Sequence, residues 1–143
     1  MIALDTNILV HAHRRDSNLH EEAYIAVREL AEGIRPWAIC FHSFVEFYGI
    51  VSHPKIWEKA STPEQIENQI AAWKESPQLH VLTESSIDLP ALLDTARKGK
   101  VSGPMIRDAR IASCCFVRGV SELWTADRDY SRFPALKTRN PLV

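Results

Sequence analysis

With 143 residues the chain has the usual size of one domain, long enough to bury about two thirds of its unfolded surface. Hydrophobic residues make up 45% and charged residues 24%, with only 5 glycines, a balance that excludes a disordered, fibrous or membrane-spanning chain. A formal net charge of −1 lacks the basic signature of many nucleic-acid binders but does not exclude one, because bound divalent cations would cancel a cluster of acids.

Residues 2 to 4, IAL, read as a short buried strand, after which Asp5 or Thr6 caps a helix carrying Ile8, Leu9 and Val10. A helix is expected over 19 to 32, with Asn18 as N-cap, Glu21 three residues on, Leu19, Ala23, Val27 and Leu30 at helical spacing, and Gly33 at its end. WAICF (37 to 41) reads as a second buried strand, followed by a helix through SFVEFYGIV that stops near His53 and Pro54. Thr62, Pro63 and Gln65 form a capping box opening a helix to about Ser76. LHVL (79 to 82) is a third strand, and Asp88 to Lys98 a helix closed by Gly99. A helix from about Pro104 to Val117, a strand ELWT (122 to 125) and an edge strand LKTR (136 to 139) complete the series.

Strands separated by one or two helices call for an α/β fold: a parallel sheet of four to five strands flanked by helices on both faces, in one domain over 1–143. No apolar run of membrane-spanning length and no secretory leader is evident, so a cytoplasmic protein that does not engage membranes is expected. Cys40, Cys114 and Cys115 lack zinc-site spacing and read as small core residues of a reducing compartment. The tryptophans Trp37, Trp57, Trp73 and Trp124 read as core or interface residues. His11 and His13, two apart on a helix, point to different sides and receive no role.

In open α/β sheets the ligand site lies beyond the carboxyl ends of the strands. Asp5 follows the first strand directly, Asp127 follows ELWT by two residues, Glu46 lies early in the helix after the second strand, and Asp108 lies near the start of the helix leading into ELWT. Each acid also has a purely structural reading: Asp5 as a helix cap, Ser43 and Glu46 as a capping box, Asp108 as a macrodipole partner, Asp127 and Asp129 as turn residues. Taken together, they sit where a ligand would bind. Crowded carboxylates repel one another unless a cation is present, and a hard Mg²⁺ or Mn²⁺ ion with oxygen ligands resolves the conflict.

ALDTNILV, Glu46 after the second strand, IRDARIA and LWTADRDYSRFP resemble, in order and spacing, the acidic motifs of the PIN-domain nucleases, most closely the VapC-type toxins of bacterial toxin–antitoxin pairs. The resemblance covers essentially the whole chain, and the tail SRFPALKTRNPLV is similar to the ending of many such toxins. It implies a PIN-like fold and a Mg²⁺- or Mn²⁺-dependent endoribonuclease leaving a 5′-phosphate and a 3′-hydroxyl. By position, Asp5, Glu46, Asp108 and Asp127 match the family's metal-binding acids, Asn7 and Thr125 its supporting polar residues, and Asp129 a frequent fifth acid. The departures are small: Tyr130 stands where Phe is commoner, and ASCC replaces a more alanine-rich stretch. The resemblance further implies a small antitoxin partner and a homodimer, with the region from His53 to Trp73 serving both.

A metal-dependent hydrolase must generate hydroxide near neutral pH and screen charge building on phosphorus, so the acids hold metal and the grip on RNA comes from elsewhere. Arg14 and Arg15 past the first helix, Arg107 and Arg110 around Asp108, and Arg128 and Arg132 around Asp127 are candidates for backbone phosphates. The competing readings are an RNA-processing or DNA-directed nuclease of the same fold, and a PIN-like module that binds RNA or protein without cutting. Phosphotransfer domains are disfavoured, since a receiver wants an acidic pair after its first strand and a haloacid-dehalogenase-like phosphatase a second Asp where Asn7 stands.

Overall fold

The computed structural model describes residues Met1–Val143. Five strands, β1 (Ile2–Leu4), β2 (Trp37–Cys40), β3 (Leu79–Leu82), β4 (Glu122–Trp124) and β5 (Thr138–Arg139), form one sheet in the order β3-β2-β1-β4-β5. Every pairing is parallel; Leu4 stands beside Ile39 on one side and Trp124 on the other. Six helices, α1 (Thr6–His13), α2 (His20–Glu32), α3 (Phe41–Val51), α4 (Pro63–Lys74), α5 (Leu89–Lys98) and α6 (Ile106–Val117), make the crossovers that parallel pairing requires.

Alternate strand residues feed two separate cores. Leu4, Trp37, Ile39 and Trp124 pack with α1 to α4 residues such as Ile8, Leu9, Phe47, Ile66 and Trp73. Ala3, Ala38, Cys40 and Leu123 pack with Ala109, Ala112 and Cys115 of α6 and with Tyr130 and Phe133. Both faces of the central strands are therefore buried, which is why β1 and β2 carry no polar alternation. The alanines let α6 approach the sheet closely, and this seats its first turn, with Asp108, at the carboxyl rim. All three cysteines are buried and free.

The Thr62 capping box forms as expected, with Pro63 in the first turn. Four local expectations give way to tertiary context. Asn18 does not cap α2; Leu19 holds that position without a side-chain bond, and it is the Ser17 hydroxyl that receives the Leu19 N–H and meets His11. Ser43 and Glu46 form no capping box, because α3 starts straight from β2 with Cys40 at the N-cap, leaving Ser43 buried inside the helix. Phe41 accordingly belongs to α3 and not to the strand. The helix expected from Pro104 begins with a 3₁₀ turn, Gly103–Met105, and is α-helical from Ile106.

Candidate functional site

Asp5 caps α1 and is at the same time a candidate site residue at the carboxyl end of β1. Its Oδ1 accepts the Thr6 N–H at 2.8 Å, starting α1, while Oδ2 accepts from Thr125 Oγ1 at 2.7 Å and Asn7 Nδ2 at 3.2 Å. Asn7 also donates to Thr125 and accepts the Ala126 N–H, stitching the end of β1 to the segment after β4. Thr125 in turn accepts the Asp127 N–H at 3.0 Å. Burial raises the Asp5 pKa, opposed by the Thr125, Thr6 and Tyr130 donors and reinforced by repulsion from Asp127.

Carboxylate oxygens of Asp108, Asp127 and Asp129 all lie within 4.8 Å of one another. Asp127 Oδ1 accepts the Asp129 N–H at 2.8 Å, so a 3₁₀ turn over Arg128–Arg132 delivers both carboxylates to one place. Asp108 is pushed up to about 6 by burial and then by Asp127, Asp5, Asp129 and Glu46, in that order. Glu46 is raised by burial and by Asp5, with Arg107 and Arg110 opposing. The five acids thus form one electrostatic unit, with Asp108, Asp127 and Asp129 tightest; Asp5 and Glu46 border that trio.

No Lys or Arg pairs with Asp5, Asp108, Asp127 or Asp129, although Asp16, Glu84, Asp88, Asp94 and Glu122 elsewhere all have such partners. A cluster of hard oxygen donors without a protein counter-charge fits Mg²⁺ or Mn²⁺ and not a soft metal.

The arginines divide. Arg107 and Arg128 are exposed beside Asp108 and Asp127. Arg110 is half-buried, donating to His42 Nδ1 at 2.9 Å and pairing with Glu84. Arg14 and Arg15 are not brought to the cluster: they follow the C-terminal end of α1, whose N-terminal end holds Asp5. Arg14 is buried, tied to Asp16, the Lys59 carbonyl and Ser61, and stacked 4.3 Å over Trp57, so it anchors a loop and has no free face for phosphate. Arg132 donates to the Gly99 carbonyl.

Two residues received no role from the sequence and stand against the site. Tyr130 is buried, and its hydroxyl acts on Asp5. His42, one helical turn before Glu46, brings Nε2 to 2.9 Å from Glu46 Oε1, out of line for a hydrogen bond. Because Arg110 must donate to His42 Nδ1, the neutral ring carries its proton on Nε2, facing Glu46. The i,i+4 spacing of His42 and Glu46 was the available signal.

The sequence is similar to ribonuclease VapC48 of Mycobacterium tuberculosis, with 24% identity over 137 residues, 96% of this chain and 94% of the relative. Ribonuclease VapC43 of the same species is 25% identical over 142 residues, 99% and 96% of the two chains. Among solved structures, VapBC2 of Rickettsia felis bound to a promoter DNA fragment has a TM-score of 0.68 at 23% identity, covering 98% of each chain. VapC20 of Mycobacterium tuberculosis, a toxin that cleaves the sarcin-ricin loop, has a TM-score of 0.70 at 16% identity, covering 98% of this chain and 100% of its own. The family model of the PIN domain matches residues 2–136, a span that holds all five acids, and the chain belongs to the PIN-domain family.

Proposed function

We propose that the chain is a Mg²⁺- or Mn²⁺-dependent endoribonuclease that acts as the toxin of a type II toxin–antitoxin pair. The observation that carries this reading is the uncompensated acid cluster at the carboxyl ends of β1 and β4, in a chain whose full-length relatives are named as ribonucleases. Asp5, Asp108 and Asp127, with Glu46 and Asp129 beside them, are the residues that would hold the ion. The chemistry a bound ion supplies here is acidification of a water and neutralisation of charge on the scissile phosphate.

The chain's own residues do the rest. Thr125, Asn7 and the Thr6 N–H fix the Asp5 carboxylate before any ligand arrives, so no reorganisation is needed at the moment of reaction. Arg107 and Arg128, exposed and next in the chain to Asp108 and Asp127, take backbone phosphates that the cluster alone would repel. The whole of 1–143 works as one domain in this reading, in the cytoplasm, where its three thiols stay reduced. No helix is long and apolar enough to cross a membrane. A small antitoxin and a second copy of the chain are the protein partners implied; a toxin–antitoxin complex from Klebsiella pneumoniae shares the fold at a TM-score of 0.67.

The test is incubation of the purified chain, freed of any copurifying partner, with total cellular RNA in Mg²⁺ or Mn²⁺. Discrete fragments are expected, lost with EDTA and in the Asp5→Asn variant. Cleavage of DNA alone, or no cleavage in either metal, overturns the assignment.

A further inference from the structure

Beside the acid cluster, a cavity of ≈ 350 Å³ opens at the carboxyl ends of β2 and β3, on the rim where α/β folds bind ligands. Small-molecule pockets run from roughly 300 to 1,000 Å³, so this one admits a single ring system and not a helix or an extended peptide. Phe41, Leu82 and Ile111 give it apolar walls, while His42, Glu84 and Arg110 give it a polar edge. The wall is shared with the candidate nuclease site, because His42 lies 2.9 Å from Glu46.

Two features of the lining have no use in the fold. Phe41 is 57% exposed at the first position of α3, an aromatic face held open to solvent at the rim. Glu84 and Arg110 pair with each other, each side chain 39% exposed, but the pair does not exhaust their bonding. Glu84 uses only Oε1, and Arg110 spends Nη1 on His42 and Nη2 on Glu84, so a carboxylate oxygen and further guanidinium N–H groups stay free.

We infer that this cavity is a base-reading pocket for an unstacked guanine next to the scissile phosphate of an RNA substrate; this rests on the ribonuclease reading above. Sequence-specific RNA recognition works on splayed-out bases that stack on aromatics and are hydrogen-bonded along their edges. Guanine presents N1–H and N2–H₂ donors that suit a carboxylate, and O6 and N7 acceptors that suit a guanidinium. Glu84 and Arg110 offer that complement side by side, and Phe41 offers the stacking face. Adenine lacks the N1–H and places a donor where Arg110 also donates. Cytosine and uracil fill less of the space.

Two measurements test this. In the first, the metal-free chain is titrated with GMP, AMP, CMP and UMP and followed by backbone amide NMR. GMP is expected to shift the amides of Phe41, Glu84 and Arg110 and to bind tightest. Phe41→Ala weakens GMP binding about ten-fold, the scale of one base–aromatic stack, and Phe41→Trp restores it. Glu84→Gln removes the preference for GMP over AMP.

In the second, the wild-type chain cuts a random single-stranded RNA pool in Mn²⁺ and the fragment ends are sequenced. Guanine is expected at one fixed position beside the cut, lost in Glu84→Gln; Phe41→Ala raises KM about ten-fold with kcat held. If the wild type cuts nothing while GMP still shifts these amides, the pocket stands and the nuclease reading falls. If it cuts with no base enriched near the cut and GMP shifts none of these amides, the pocket assignment is overturned and the nuclease reading survives. A cavity that receives a protein partner's side chain gives that same overturning result.

Discussion

Thr125 Oγ1 donates to Asp5 Oδ2 at 2.7 Å, joining residues 120 positions apart at the ends of two adjacent parallel strands. The same hydroxyl accepts the Asp127 N–H, so one side chain aligns two acids. Thr125→Val removes these two bonds and the one from Asn7 Nδ2 from a buried setting and is expected to cost about 1–3 kcal/mol in urea unfolding. RNA cleavage should fall with it. Thr125→Ser keeps the hydroxyl and should restore both readouts; a serine variant as impaired as valine would sink the role given to this bond.

The acid cluster predicts stabilisation by hard cations independent of any substrate. Mn²⁺ at ~100 times its dissociation constant contributes about 2.7 kcal/mol, which is several degrees in Tm for a chain of this size. Asp108→Asn should raise the metal-free Tm, since it removes one of several mutually repelling charges, and should abolish most of the Mn²⁺ gain. Differential scanning calorimetry with and without EDTA reads both.

Asp108 also predicts a pH dependence. Its pKa in the fold, about 6, lies above its ordinary value of 3.8, so the proton favours the folded state. The stabilisation is complete below the ordinary value and is lost as pH rises through the folded one. The Tm advantage of Asp108→Asn over wild type in EDTA should therefore be small near pH 4 and larger near pH 7. An advantage that shrinks with rising pH would contradict the repulsion.

Gly99 closes α5 against Phe133: a Cβ there would stand 2.5 Å from the Phe133 Cε1. Phe133 is buried and packs on Tyr130, whose hydroxyl acts on Asp5. Gly99→Ala is expected to cost about 1–3 kcal/mol by overpacking, with partial recovery when combined with Phe133→Leu. Denaturant midpoints of the single and double variants check it.

Arg14 separates anchoring from RNA contact. Arg14→Lys loses the fork to Asp16, the bonds to Lys59 and Ser61 and the stack on Trp57, and should cost about 1–3 kcal/mol. Arg15→Ala, at an exposed position, should leave the Tm unchanged. Below both melting temperatures the KM for RNA should be the same in Arg14→Lys as in wild type.

By itself the sequence determined the alternation of strands and helices, the parallel sheet and the acids at its carboxyl rim, because these follow from period, punctuation and the positions of Asp5 directly after the first strand, Asp127 two residues after ELWT and Asp108 near the start of the helix leading into it. The Thr62 box was legible for the same reason, since both of its bonds close within four residues. Ser43 carried an equally good local signal that failed: the chain passes from β2 into α3 without a break, and packing buries the serine inside the helix.

Only the tertiary structure decided that Asp129 joins Asp108 and Asp127 within 4.8 Å, that Arg14 is spent on a loop, and that His42, Glu84 and Arg110 meet beside Glu46. Those groupings depend on side-chain direction across elements distant in the chain. Spacing along one helix or turn constrains which face a residue occupies, but which neighbour it finds there is set by how α3, β3 and α6 converge at the rim of the sheet.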